Sequence, residues 1–321
     1  MALLVQAPFG APPAAAVMAR AGGENFPVAS RALPAGSRGH LLALYGFARL
    51  VDTVGDEGDQ SPARRLAALD WLEEELDRAF AGRAAHPLLV TLQATLQECG
   101  LPREPFQRLI EANRVDQRVT RYETWEDLLG YCALSANPVG ELVLHVFGRA
   151  TPARVELSDR ICSALQLAEH WQDVAEDFAK GRIYLPGEDR RRFGVADEDL
   201  VGGAVGADGA AGTARVVGAA GAARAAGEAG AAGTAQATGW RLRALLAFEV
   251  ARTRELLGEG EPLIATLRGR ERLAVAAFAG GARAALEAIE GAGYDVLAGP
   301  PKASGIRRAA ATARLLAGRG R

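Results

Sequence analysis

Cysteine, histidine, aromatic residues, net charge and long apolar runs are all scarce in this chain, and each scarcity removes a class of protein. Three cysteines, Cys99, Cys132 and Cys162, form no Cys-x-x-Cys pair and cannot all bridge one another, which fits a reducing cytoplasm. The 4 histidines are scattered singly and build no metal cluster. Aromatic residues make up only 6% of the 321, and alternating Val, Ile and Thr are rare, which argues against an extensive sheet. A balance of 37 Lys+Arg against 39 Asp+Glu leaves a net charge of −2, without a basic motif or aromatic platform, so no nucleic acid is expected as a partner. No apolar run reaches the ~18 residues that a membrane span requires. No Gly-x-Gly-x-x-Gly follows a strand-like run, so no nicotinamide is expected.

What remains is a helix-forming chain with 49% hydrophobic residues, enough for a sizeable core. Residues 1–22 lack a charged signal-peptide start, and Pro8, Pro12 and Pro13 cut their apolar stretch, so they are expected to be a disordered leader. A short helix is expected over 25–37, ending near Leu33-Pro34, with the next opening near Gly36-Ser37. Ser61-Pro62 opens an amphipathic helix to Phe80 that turns Leu66, Leu69, Leu72, Leu76 and Phe80 inward. Its Glu73-Glu74-Glu75 run reads as a solvated face, and Gly82 stops it. Further helices are expected over Pro87–Cys99, Arg103–Thr120 and Trp125–Phe147, the last kinked at Pro138 beside Asn137. Residues 201–239 are almost wholly small and Gly-rich and read as a low-complexity, disordered insertion. Helical patterning returns over Trp240–Leu257 and Arg268–Gly291, and the basic, Ala-rich residues 299–321 read as a solvated tail.

Two stretches carry chemistry. From Ser158, a good N-cap, no Gly or Pro interrupts the chain until Gly181. On a helix turning about 100° per residue, Gln166, Glu169, Asp173 and Asp177 share an arc of roughly 80°. Leu165, Leu167, Ala168, Trp171 and Val174 lie beside that arc. Earlier, over Leu41–Glu57, Tyr45, Arg49, Asp52 and Asp56 share an arc of about 60°. Each helix thus holds an Asp-x-x-x-Asp pair in apolar surroundings. Two readings stay open: solvated acidic faces, or carboxylates facing each other across a cavity and holding Mg2+ against a substrate phosphate. Arg49 on the same face suits a phosphate oxygen.

At these residues the chain resembles the squalene/phytoene synthases, head-to-head prenyl synthases. The resemblance rests on YGFARLVDTVGDE (45–57), YCALSANPVG (131–140) and QLAEHWQDVAEDFAKGRIYLP (166–186), and extends from about Glu24 to Leu297. It implies an all-α fold, a single-domain isoprenoid synthase helical bundle over residues 23–298 around a deep central cavity. By the same resemblance, Asp52, Asp56, Asp173 and Asp177 hold Mg2+, while Tyr45, Arg49, Gln166 and Arg182 contact the diphosphate. Asn137, Glu169, Gln172 and Tyr184 are further substrate-binding candidates.

Several positions depart from the commoner pattern. Thr53 stands where many members carry a second aspartate, Glu169 and Gln172 where condensing members have Asn and Arg, and Ala133 where they place a tyrosine. Within the family, ENFPVAS (24–30), SANPVG, His170-Trp171-Gln172-Asp173 and AGYDVL (292–297) look most like the bacterial enzymes of hopanoid pathways that convert presqualene diphosphate and water to hydroxysqualene. A condensing enzyme joining two farnesyl-type diphosphates and a non-catalytic prenyl-lipid binder are the alternatives. A hydrophobic substrate of this kind implies that the chain, placed in the cytoplasm by its cysteines, contacts the inner membrane face or neighbouring pathway enzymes.

Overall fold

A computed structural model describes residues 35–56, 60–201 and 228–318, with side chains of 35 and 228–238 left aside. The leader, the ENFPVAS stretch, nearly all of the 25–37 helix, residues 202–227 of the low-complexity stretch and residues 319–321 lie outside that description.

The described chain is all-α. Its helices are α1 (Ala35–Asp56), α2 (Pro62–Phe80), α3 (Pro87–Cys99), α4 (Glu104–Asp116), α5 (Trp125–Ser135), α6 (Asn137–Val146) and α7 (Pro152–Gln172). There follow α8 (Val174–Ala179), α9 (Gly187–Phe193), α10 (Glu228–Gly260), α11 (Pro262–Thr266), α12 (Gly269–Gly291) and α13 (Gly305–Leu316). A single bridge, Arg121 to Ile183, is the nearest thing to a sheet among the described residues.

Local chemistry sets several boundaries where the sequence puts them. Ser61 caps α2 and Pro62 fills its first turn. Gly100, with φ 58°, closes α3 in the left-handed region that glycine tolerates. The expected 125–147 helix is broken in two: Ala136 leaves ideal helix geometry (φ −110°, ψ −46°), and Pro138, which has no N–H to give, begins the next piece.

Four expectations need correction. Residues 228–239, expected to belong to the disordered insertion, are helical and open α10. Ser158 is not the cap of the central helix, because Thr151 accepts from the Arg154 N–H and Pro152 starts α7 about two turns earlier. Ser158 is instead buried inside α7. The Glu73-Glu74-Glu75 run is not uniformly solvated: Glu75 is 1% exposed, pairs with Arg78 at 2.6 Å and accepts the Ala85 and His86 N–H groups at 3.1 Å each. It ties the turn after α2 in place, a buried charge made tolerable by full pairing. The tail is not free either. Its α13 buries Ala311 and Leu315 and lies so close to α12 that a Cβ on Gly280 would come within 2.8 Å of the Thr312 nitrogen.

Helix α7 is the hub, packing on α6, α10 and α12. Its Trp171 is fully buried and donates from Nε1 to Thr253 Oγ1 at 2.9 Å, while Thr253 donates onward to the Glu249 carbonyl at 2.7 Å. Gly260 permits the α7–α10 approach, since a Cβ there would stand 2.8 Å from the Leu157 carbonyl oxygen. On the other side, Phe47 of α1 meets Phe106 of α4 edge-to-face with ring centres 5.1 Å apart. These contacts hold α1 and α7 as fixed walls.

Candidate active site

Between those walls lies a cavity of about 1430 Å3, its open mouth included. From α1 it is lined by Leu41, Leu44, Tyr45, Ala48, Arg49 and Asp52, and from α7 by Ser158, Ile161, Cys162, Leu165, Gln166 and Glu169. Both sets follow the three- and four-residue steps of one helix face. Toward the C-terminal end of each helix both sets become polar, with Arg49 and Asp52 on α1 and Gln166 and Glu169 on α7. The remaining wall is largely apolar, with α6 supplying Val139, Gly140, Leu142 and Val143, and α12 supplying Val275 and Phe278.

The helix face pattern explains the depth of the cavity, and one glycine sharpens it. A Cβ on Gly140 would lie 2.3 Å from Ser158 Oγ and 2.5 Å from Cys162 Sγ, so α6 and α7 meet backbone to side chain there. Asn137, at the start of α6, does not itself line the cavity; it is buried and accepts from Ser163 Oγ at 2.9 Å, pinning the helix break to α7.

At the polar end, Arg49 stands 3.9 Å from Asp52 on the same helix. One turn on, Asp56 pairs with Arg182 at 2.7 Å, so the first acidic motif reaches the chain that follows the second. Arg182 shares a small adjoining hollow with His170, Asp177 and Tyr184. Its segment is fixed by the loop before α5, through Ile183 N–H to Thr120 O at 2.8 Å and Gly187 N–H to Tyr122 O at 2.9 Å. Tyr184 is buried, stacked on His170 with centres 3.6 Å apart and on Tyr122 at 5.8 Å.

The second motif does not continue one helix. Asp173 (φ −103°, ψ 17°) sits at the break between α7 and α8, and its carbonyl accepts the Asp177 N–H at 2.8 Å. Burial, then the charges of Asp177 and Glu176, push the Asp173 carboxyl above the usual range, with His170 and Lys180 working against them. Asp173 and Asp177 therefore lie past the Glu169 end of the cavity lining. Gln172 is apart from that lining: it is buried, and its amide donates to the Pro301 carbonyl in the segment before α13. Lys302 follows and adds positive charge near Glu176.

Asp116, at the end of α4, is a member of the site that the motifs do not announce. Tyr131 donates to its Oδ2 at 3.0 Å, while Oδ1 is buried with no hydrogen-bond partner among the described residues. Burial pushes its carboxyl up to about 6, against the pull of Arg182 and the Tyr131 hydroxyl, with Asp56 and Asp177 adding to the push. In the sequence it is a lone acid, with Ala112 and Thr120 four residues to either side and so no Asp-x-x-x-Asp pair to mark it.

Among the described residues no three His, Cys, Asp or Glu side chains stand ready to enclose a metal ion. The donor set nevertheless fits Mg2+ shared with a diphosphate. All its donors are oxygen, its acids come from separate elements, Asp173 is crowded by like charge and Asp116 has an orphaned oxygen. The C-terminal ends of α1 and α7 add their negative dipole ends to the same region. Asp52, Asp56, Asp173 and Asp177 are the residues that would hold it, with Glu169 as a further carboxylate on the cavity wall.

Comparison with known proteins identifies the family. The family model described as squalene/phytoene synthase matches residues 19–241 and 232–307. A hydroxysqualene synthase of Sinorhizobium fredii is 36% identical over 178 residues, covering 55% of this chain and 60% of that protein. A phytoene synthase of Mycobacterium tuberculosis is 32% identical over 176 residues, covering 55% and 57%. The chain thus spans about three-fifths of the curated relatives it matches. Among solved structures, squalene synthase HpnC from Alicyclobacillus acidocaldarius is 41% identical, with a TM-score of 0.69 over 86% of this chain and 92% of that one. A dehydrosqualene synthase at 24% identity shares the fold, with a TM-score of 0.73 and 95% of each chain covered. The all-helical cavity with an acidic mouth and the matched motifs meet in one conclusion: this chain belongs to the squalene/phytoene synthase family of prenyl diphosphate-processing enzymes.

Proposed function

We propose that the chain ionises presqualene diphosphate and lets water capture the rearranged cation, releasing hydroxysqualene and diphosphate. The observation that carries this reading is the position of Gln172. A neutral side chain stands there in the second motif, and it spends its amide on the Pro301 carbonyl rather than on the mouth. Arg49 and Arg182, which pair with Asp52 and Asp56 of the first acidic motif, are then a provision suited to one diphosphate. Ala133, in place of the condensing members' tyrosine, points the same way. The likeness to a hydroxysqualene synthase adds support.

Loss of diphosphate is limited by the charge that builds on the departing oxygens. Mg2+ held by Asp52, Asp56, Asp173 and Asp177 would supply neutralising charge there. Arg182, fixed by Asp56, and Arg49 donate to the same oxygens. The apolar surfaces of Leu41, Leu44, Leu142, Val143 and Leu165 keep stray nucleophiles from the cation. No step needs a nicotinamide. Three unpaired cysteines suit a reducing cytoplasm, and no described helix is long and apolar enough to cross a membrane.

The second reading, condensation of two prenyl diphosphates, draws on the phytoene synthase relatives at 32% identity. Purified protein given presqualene diphosphate or farnesyl diphosphate, with Mg2+ and no nicotinamide, separates the two when the triterpene is identified by mass spectrometry. An alcohol from presqualene diphosphate alone supports the proposal. Condensation of farnesyl diphosphate replaces it with the second reading.

A further inference from the structure

The geometry points to Gln166 as the residue that orients the capturing water, with His170 as the positioning residue that sets the Gln166 amide. This rests on the proposed water capture and deepens it. Gln166 and His170 are one turn apart on α7. Gln166 lines the main cavity, at the boundary between apolar Ile161, Cys162 and Leu165 and the Glu169 end. His170 is buried behind it and faces the smaller hollow with Asp177 and Arg182.

Gln166 Nε2 lies 3.1 Å from His170 Nε2. An amide nitrogen can only donate, so the imidazole nitrogen it meets accepts and carries no proton. The ring proton is thereby on Nδ1, which faces Asp177 Oδ2 at 3.6 Å. Stacking on Tyr184 at 3.6 Å and 15°, with Tyr131 at 6.2 Å, stops the ring from turning. Tied back through its nitrogen, the Gln166 side chain has its carbonyl oxygen Oε1 left for the cavity. A neutral acceptor at that boundary holds one water by its hydrogen and aims the lone pair at the cation. A carboxylate in the same place would pair with the cation instead. In the step, the carbon–oxygen bond to diphosphate breaks with its electron pair leaving on diphosphate. A new bond forms from water oxygen to the cationic carbon, and the surplus proton passes to the released diphosphate.

The test is the product spectrum from presqualene diphosphate and Mg2+, expressed as alcohol formed per diphosphate released. Gln166→Leu is expected to lower the alcohol share about tenfold, the size of one positioned hydrogen bond, with deprotonated polyenes making up the balance. Gln166→Met, closer in length, serves if the leucine variant does not fold. His170→Phe keeps a flat ring but removes the acceptor, and is expected to shift the ratio the same way. His170→Gln, whose carbonyl can accept from Gln166, is expected to recover part of it. An unchanged alcohol share in the folded Gln166 variants overturns the water-orienting role while leaving the proposed function standing. A wild-type chain that forms no alcohol removes both.

Discussion

Replacing Asp116 by asparagine should make the ligand-free protein more stable at neutral pH while impairing catalysis. The folded carboxyl titrates at about 6, against an ordinary value of 3.8. Between those values the native chain keeps a proton that the unfolded chain has given up, so stability falls as pH rises through that window and levels off above it. Roughly two pH units at 1.36 kcal/mol each amount to about 3 kcal/mol at pH 7.5. Asparagine carries no charge to bury, and its carbonyl can still accept from the Tyr131 hydroxyl. For a chain of this size, about 3 kcal/mol corresponds to roughly 5 °C in melting temperature. Asp159, also near 6, and Glu249, near 8, tilt the pH profile in the same direction in both proteins. The difference between variant and wild type therefore isolates Asp116. Melting curves at pH 4 and pH 7.5 should show a gap that opens only at the higher pH. Equal melting temperatures at pH 7.5 would refute the idea that burial, rather than the site's own positive charge, governs this carboxyl.

Three further outcomes follow from the same geometry. Asp52→Asn and Asp173→Asn should each cut diphosphate release by ~10²-fold or more with unchanged helical circular dichroism, and undiminished turnover in either would defeat the metal-ligand assignment. Gly260→Ala should cost ~1–3 kcal/mol in denaturant unfolding, because the new methyl meets not only the Ile161 side chain but also the Leu157 carbonyl and the Ile161 nitrogen, backbone atoms that cannot step aside as a side chain can. Burial pushes the Cys132 and Cys162 thiols up to about 12, so at pH 8 only about one part in ten thousand is thiolate. Alkylation followed by peptide mass mapping should then label Cys99 first, and early labelling of Cys132 would contradict its burial.

Where a boundary depends on neighbouring residues, the sequence was enough. Ser61-Pro62, Pro87 and Gly100 are local devices, and α2 begins, and α3 begins and ends, where those residues dictate. The three- and four-residue spacing likewise put Tyr45, Arg49 and Asp52 on one face and Gln166 and Glu169 on another, and the cavity gathers both sets. What escaped was set at a distance. Glu75 looks like any surface acid until the turn after α2 brings two N–H groups back to it. The break at Asp173 involves no glycine or proline, so nothing local marks it. Asp116 joins the site from a third helix, and Gln172 is claimed by a carbonyl 129 residues away.

That last contact changes what counts as the edge of this protein. A shortened version ending at Leu297, where the recognisable motifs stop, would strip the Pro301 carbonyl from Gln172 and the α13 cover from Gly280. The residue before Asp173 would be left with a dangling amide, and the hinge between α7 and α8 would lose its outer brace. Anyone trimming, tagging or grafting this protein for biosynthesis should count residues 300–316 as part of the second acidic motif.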